Sequence, residues 1–301
     1  MKVLRYNEKI SDETTLLLGN FDGLHIGHKL LIDCAKTFSH KLAIITYENK
    51  DKNTGYIKSL EERFFEFERL GFDYCIVLDY GEVSKIDGKV ILETLTQNFN
   101  TRHIVCGEDF TFGKHGMSNA YDVESFAFSK NIGSSIMPRF SINNNRLSSN
   151  YIRSLIRSGN IGMVNKLLLE PYSIYSTVIH GNRLGKTLGF PTMNFAIDPL
   201  KVELKNAVYL CYTFVDGKKY YGISNFGLKP TIENDDKNFE VHLIDFCQEM
   251  YERRIEVFFL EKLRDTEKFD SLEDLRLQIA IDFENAKDII AKKYEKENEN
   301  Y

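Results

Sequence analysis

The first hundred residues repeat one pattern, a short apolar run, a turn, then a stretch with apolar positions three and four apart. Residues 15–18, 42–46, 74–78 and 103–106 are runs of four or five mostly apolar residues, which predicts buried strands. Residues 29–38, 60–70 and 90–97 between them carry helical periodicity. Ser59 precedes the second of these, with Glu62 three positions on, the pattern of a capping box. A polar loop over 49–56 separates the second strand from that helix. Strands that feed helices through short turns predict a parallel α/β sheet.

Past Arg146 the pattern changes. Residues 151–157 and 161–169 read as short helices, split by Gly159-Asn160 and closed by Pro171. They are expected to bridge two domains. From Tyr172 the chain is strand-like over 175–179, 208–214, 220–223, 239–244 and 255–259, with Asp216-Gly217 as a hairpin turn. Antiparallel strands with this punctuation fit a small barrel or sandwich. The tail predicts one long helix capped by Ser271, with Asp274 three positions later. Its apolar stripe is Leu272, Leu275, Ile279, Phe283, Ala286, Ile289 and Ile290, expected to pack on the barrel. The domains are expected to span 1–170 and 171–301.

Composition narrows the class. The 301 residues are 43% hydrophobic and 28% charged, a globular balance, and the net charge is -5. A mild acidic excess without a basic stripe argues against a nucleic-acid partner. No apolar run is long enough to span a membrane, and the first residues lack the apolar stretch of a leader. Cys34, Cys75, Cys106, Cys211 and Cys247 are scattered and form no Cys-x-x-Cys pair, so they read as reduced thiols. The expectation is a cytoplasmic protein with small-molecule partners and no membrane contact. Monomer and weak self-association both stay open.

Two segments carry candidate chemistry. Gly19-Asn20-Phe21-Asp22-Gly23-Leu24-His25-Ile26-Gly27-His28 lies between a strand and a helix. Gly23 and Gly27 permit close backbone approach, and a helix start offers N–H groups to phosphate oxygens. His25 and His28, three apart, can share one side of that turn and contact a triphosphate. Two satisfied polar residues, or half of a metal site, are the other readings. The Walker lysine and its glycine spacing are absent, which argues against a P-loop. Downstream, Gly107 to Gly113 follows a strand. Phe110 and Phe112 are candidates to wall a planar ring, with one of the two equally readable as core, and Asp109 is a candidate to orient a ligand or cap a turn. Ser148 and Ser149 open a helix whose Arg153 is either a phosphate clamp or a solvated cation.

The second segment is residues 181–194, with Gly181, Gly189 and Lys186 in a loop suited to phosphates or simply to the surface. Pro191 fixes a turn before Thr192 and Asn194, two hard oxygen groups suited to a magnesium ion that bridges ATP phosphates. Glu240 and His242 share one face of a predicted strand, Val241 and Leu243 the other. Glu240 is a candidate general base or an exposed carboxylate. Asn225, after another strand, is a candidate to position an alcohol or to close a turn.

The ordered series of these segments resembles the bacterial bifunctional riboflavin kinase/FMN adenylyltransferase family over residues 10–290. The resemblance implies that ATP phosphorylates riboflavin to FMN, and that FMN then attacks the α-phosphate of a second ATP to give FAD and pyrophosphate. It implies a nucleotidyltransferase-type parallel sheet followed by a closed six-stranded antiparallel barrel with a C-terminal helix. His25, His28 and Arg153 would act on phosphates, with Asn20 and Asp22 shaping the ATP loop. Thr192 and Asn194 would hold ATP and magnesium, and Glu240 would take the proton of the 5′ hydroxyl. Three departures fall in the first domain: Asn150 in place of a threonine, Thr46-Tyr47-Glu48-Asn49-Lys50 in place of a Phe-Asp-Pro-His-like segment, and Lys114-His115 in place of an arginine after Gly113. In the second, Met193 and Ala207 replace an alanine and a glycine. The competing expectation is a riboflavin kinase alone, with a degenerate first domain.

Overall fold

A computed structural model describes residues 1–50, 54–142, 145–181, 189–228 and 237–294. The chain forms two compact units, Met1–Arg153 with Leu167–Glu170, and Ser154–Lys166 with Pro171–Tyr301.

The first unit contains β1 (Lys2–Arg5), β2 (Thr14–Leu18), α1 (Ile26–Ala35), β3 (Lys41–Glu48), α2 (Leu60–Arg69), β4 (Tyr74–Asp79), α3 (Tyr80–Val83), α4 (Gly88–Asn98), β5 (Thr101–Gly107), β6 (Thr111–Phe112), β7 (Ser118–Asn119), α5 (Ala120–Lys130), β8 (Gly133–Met137), β9 (Ser141–Ile142) and β10 (Asn145–Arg146). Helix α6 (Ser149–Ser158) begins in this unit. Six strands pair in the order β1-β4-β3-β2-β5-β8, every pair parallel. Leu16 and Leu18 pack into a core on one face of the sheet with Ile91, Leu95 and Val123. Leu17, on the opposite face, packs with Leu31, Ile44 and Phe67. Burial on both faces explains the near-continuous apolar runs. The predicted capping box is present: Ser59 Oγ accepts from the Glu62 N–H at 3.2 Å, and the Ser59 N–H donates to the Glu62 carboxylate at 2.7 Å.

Three elements escape the apolar pattern. The edge strands β1 and β8 are only partly apolar, and β8 reads Gly-Ser-Ser-Ile-Met. Helix α5 turns Tyr121 and Phe128 to solvent, which blurs its stripe. Helix α1 starts at Ile26, three residues before the expected start, because His25 takes the N-cap position.

The second unit contains the rest of α6, all but the last residue of α7 (Ile161–Leu167), β11 (Ser173–Ile179), β12 (Met193–Phe195), β13 (Ala207–Val215), β14 (Lys218–Leu228), β15 (Lys237–Leu243), β16 (Arg254–Asp265) and α8 (Leu272–Ile289). The six strands close into an antiparallel barrel in the order β11-β12-β15-β14-β13-β16. Stacked rings fill it: Phe239 lies 4.8 Å from Phe195 and 5.8 Å from Phe259, centroid to centroid. Asp216 and Gly217 both take positive φ in the β13–β14 turn, as their order predicts. Phe283, Ala286 and Ile290 of the tail cover Val208, Leu210 and Leu260 on the barrel's outer side. Leu272 is 51% exposed, so the packed stripe begins at Leu275 rather than at the first turn.

Candidate active sites

In the first unit the chain runs from β2 outward to β3 and β4, then returns to the other side of β2 as β5 and β8. Such a reversal opens a crevice at the carboxyl ends of the two central strands. A cavity of about 250 Å³ lies there. Gly19 and Asn20 line it after β2, and Gly107, Asp109 and Phe110 after β5. Two helix starts also face it, through His25, Gly27 and His28 of α1 and through Ser148 and Ser149 of α6.

The rings of His25 and His28 stack at 3.6 Å with 13° between their planes. The His25 N–H donates to His28 Nδ1 at 3.3 Å. His25 is buried, and its Nδ1 has no hydrogen-bond partner among the described residues. A Cβ on Gly27 would stand 3.0 Å from Phe140 Cβ and 3.1 Å from His25 Nδ1, so glycine leaves that nitrogen room. Burial lowers the His25 pKa to about 4, against smaller opposing effects of a backbone hydrogen bond and of Asp109. Burial, then the neighbouring His25, holds His28 well below the usual imidazole range, with the Gly23 carbonyl opposing. Both rings are neutral at pH 7.

Of the predicted residues, Asp22, Gly23, Phe112 and Arg153 do not line the cavity, whereas Gly19, Asn20 and Phe21 do. Asp22 is fully buried and takes the Ile57 N–H at 3.0 and 3.1 Å. Arg153 Nη2 donates to the same carboxylate at 2.6 Å, Nε to the Gly55 carbonyl at 2.7 Å, and Nη1 to Asn150 Oδ1 at 3.0 Å. Arg153 is thus engaged by Asp22. Asn150 grips Arg153, and the α6 cap comes from Ser148, whose Oγ accepts from the Tyr151 N–H at 3.3 Å. Gly23 abuts Ile57, where a Cβ would fall 2.9 Å from Cγ2. Gly19 makes way for the Phe21 ring, whose residue sits at φ 48 in the core. Phe112 is core, stacked at 5.2 Å on Phe110, which borders the cavity. The Asn20 carbonyl accepts from Thr46 Oγ1, which in turn accepts from Arg63. Lys50, met in the sequence only as part of the departure at 46–50, and Arg139, not singled out there, also line the cavity; their nearness to strand ends was the available signal.

In the second unit, Asn194, Glu240 and Asn225 occupy one row of the sheet. Asn194 on β12 pairs with Glu240 on β15, and Glu240 pairs with Asn225 on β14. Directly paired residues project to the same face. Phe239, Val241 and Leu243 point into the barrel, so this row and His242 lie on its outer side. Asn194 is packed against Gly181, where a Cβ would fall 2.2 Å from the Asn194 amide nitrogen. His242 Nδ1 lies 2.5 Å from the Pro191 carbonyl, and its ring meets Phe283 of α8 edge-on. Pro191 and Thr192 border a separate cavity of about 220 Å³, walled by Val241, Leu243 and residues 246–251. Gly189, at φ +87, is exposed. Lys186 lies outside the described residues. Among the described residues, no three His, Cys, Asp or Glu side chains are grouped to hold a metal ion.

A family model described as FAD synthetase matches residues 7–151, and one described as riboflavin kinase matches residues 168–290. The chain is 31% identical over 290 residues to the bifunctional riboflavin kinase/FMN adenylyltransferase of Bacillus subtilis (strain 168), covering 91% of this chain and 92% of that one. It is 30% identical over 287 residues to the protein of the same name from Haemophilus influenzae, covering 90% and 92%. A crystal structure titled macrolide-efflux protein from Streptococcus pneumoniae matches with a TM-score of 0.84 and 26% identity, covering 95% of this chain and 98% of that one. No helix among the described residues of this chain is long and apolar enough to cross a membrane. With both family models in order along the chain and 31% identity over nine-tenths of its length, the chain belongs to the bifunctional riboflavin kinase/FMN adenylyltransferase family.

Proposed function

We propose that the chain makes flavin cofactors in two ATP-dependent steps, one in each unit. Riboflavin is phosphorylated on its 5′ hydroxyl to FMN. The FMN phosphate then attacks the α-phosphate of ATP and expels pyrophosphate, giving FAD. The observation that carries the reading is the row Asn194–Glu240–Asn225, one carboxylate between two amides on adjoining strands.

In the kinase unit, Glu240 accepts the proton of the attacking hydroxyl, and Asn225 orients that hydroxyl. Phosphoryl transfer needs positioning and charge neutralisation more than covalent help. Thr192 and Asn194 are hard, neutral oxygen donors, and Gly181 confines the Asn194 amide. They would hold a magnesium ion, a hard cation that favours oxygen ligands. When bound, the ion neutralises charge on the ATP phosphates. His242, facing the Pro191 carbonyl, holds the Pro191–Thr192 segment in place.

In the adenylyltransferase unit, the starts of α1 and α6 present backbone N–H groups to phosphate oxygens. His25 and His28, neutral in the free protein, donate ring N–H bonds to oxygens that gain charge as pyrophosphate leaves. FMN brings its own nucleophile, so no side chain need act as one. Phe110 offers a face to a planar ring. Arg153 acts through Asp22 and fixes the loop after β2.

The inward engagement of Arg153 favours a second reading, riboflavin kinase alone. Incubating purified protein with riboflavin, ATP and Mg²⁺, then separating the flavins, decides between them. The proposal predicts FMN followed by FAD. Accumulation of FMN with no FAD, including when FMN is supplied, selects the kinase-only reading.

A further inference from the structure

The chain leaves the first unit after Arg153, returns to it for Leu167–Glu170, and leaves again at Pro171. Four residues cannot bury a core of their own, so the reason for the return lies in what they touch. Leu168 and His25 pair as an isolated antiparallel bridge. The Leu169 N–H donates to the Leu24 carbonyl at 2.9 Å. His25 can take a strand-like partner because, as the N-cap of α1, its backbone is extended, with φ -115 and ψ 168. Leu169 packs against the core that contains Phe21 and Leu24, and Leu167 and Leu168 are buried.

Glu170 clips the segment to α2. Arg69 donates to its carboxylate through Nε at 2.8 Å and also through Nη2, a two-bond fork that fixes direction. The pair is partly exposed and adds little to stability, so its value is geometric. The fully buried Lys58 ammonium lies 3.6 Å from Glu170 and 3.3 Å from Glu66, which is also fully buried. The Lys58 backbone N–H donates to the Asp22 carbonyl at 3.1 Å, so one residue touches both the loop after β2 and the returning segment. Burial pushes the Glu66 carboxyl above the usual carboxylate range; Lys58 opposes this, Glu170 adds to it, and the Leu24 N–H opposes it. The Leu24 backbone thus meets Leu169 through its carbonyl and Glu66 through its N–H.

We propose that Leu168, Leu169 and Glu170 form a positioning segment of the adenylyltransferase site, seating the backbone of Leu24 and His25 so that the two stacked histidine rings stand at their working places beside the cavity. The proposal rests on the adenylyl-transfer reading of this unit. A displacement of about 1 Å in a group that meets the reacting atoms can cost about a hundredfold in rate. None of the three residues lines the cavity, so their loss should reach turnover more than ATP binding.

The test compares Leu169→Pro, which removes the N–H bonded to Leu24, with Leu169→Ala, which keeps it and trims the same side chain. In FAD synthesis from FMN, Leu169→Pro should lower kcat about tenfold or more with KM for ATP within about threefold, the mark of an interaction that acts in the transition state. Leu169→Ala should keep kcat within about threefold, and Glu170→Ala, which opens the clip, should lower it by about threefold or more. FMN formation from riboflavin should be unchanged in all three.

A second readout separates positioning from a simple loss of stability and needs no turnover. The ring resonances of His25 and His28, followed by NMR in the free protein, should move in Leu169→Pro and Glu170→Ala. Those of His40 and His103, beside the starting ends of β2 and β5, should stay native. Leu169→Ala should leave all four in place. Native ring resonances, or a native kcat, in both Leu169→Pro and Glu170→Ala would overturn the proposal. If Leu169→Pro unfolds the unit, seen as loss of the native His103 resonance, Glu170→Ala decides by the same two readouts. A native protein that forms no FAD removes the adenylyl-transfer reading, and the ring resonances then decide by themselves whether the segment seats the histidines.

Discussion

Asp22 and Arg153 form a buried ion pair between residues 131 positions apart, and it fixes the loop that carries His25 and His28. Removing one partner leaves the other charge buried, which costs about 3–5 kcal/mol. Arg153→Ala should therefore lower the stability of the first unit by about 3 kcal/mol in urea unfolding; a change under about 1 kcal/mol would show the pair to be unimportant. His25 makes a pH prediction. Its folded pKa is about 4 and its ordinary value 6.5. Between these values the unfolded chain binds the proton and the folded chain does not, so stability falls as pH drops from about 6.5 towards about 4. Melting temperatures across that window should fall less steeply in His25→Asn than in the native protein; parallel curves would contradict the buried, neutral ring. At this scale sequence reading was uneven. The face of Glu240 followed from strand alternation with Val241 and Leu243. The partnership of Asp22 with Arg153 did not, because no local pattern links residues so distant in the chain.

At the scale of elements, Gly181 and β12 act together. A side chain at 181 would collide with the Asn194 amide. Gly181→Ala should lower kcat/KM for ATP in the kinase step by about tenfold, equivalent to roughly 1.4 kcal/mol, and leave FMN-to-FAD conversion unaltered. Unchanged kinase kinetics would show that the Asn194 position is not critical. Phe283 anchors α8 against Val208, Leu210 and the barrel face. Phe283→Ala should cost about 3 kcal/mol, read as a lower urea midpoint for the second unit. Long buried strands and capped helices were legible because their apolar periods are strong, as with Leu42–Thr46 and the Ser59–Glu62 box. The three-residue strand β12 was not, since Thr192-Met193-Asn194 reads equally well as a loop. Edge strand β8 and helix α5 were missed because half of their surface stays wet.

For the whole molecule, the two units carry their polar constellations on unlike scaffolds, a crevice at strand ends and a row across a barrel wall. The order of motifs along the chain made that division legible. The cations after β3 and β8 were not, because the sheet order that places them side by side with the central strands is a property of the fold. If each unit runs its own reaction, a lesion in one leaves the other intact. His28→Ala should reduce FAD formation from FMN while FMN formation from riboflavin continues. The most direct measurement takes Glu240→Gln protein and follows two flavin time courses with ATP and magnesium, one begun from riboflavin and one from FMN. The account predicts FMN formation reduced by about a hundredfold or more, with FMN converted to FAD at close to the native rate. Equal loss of both conversions, or undiminished phosphorylation of riboflavin, would contradict it.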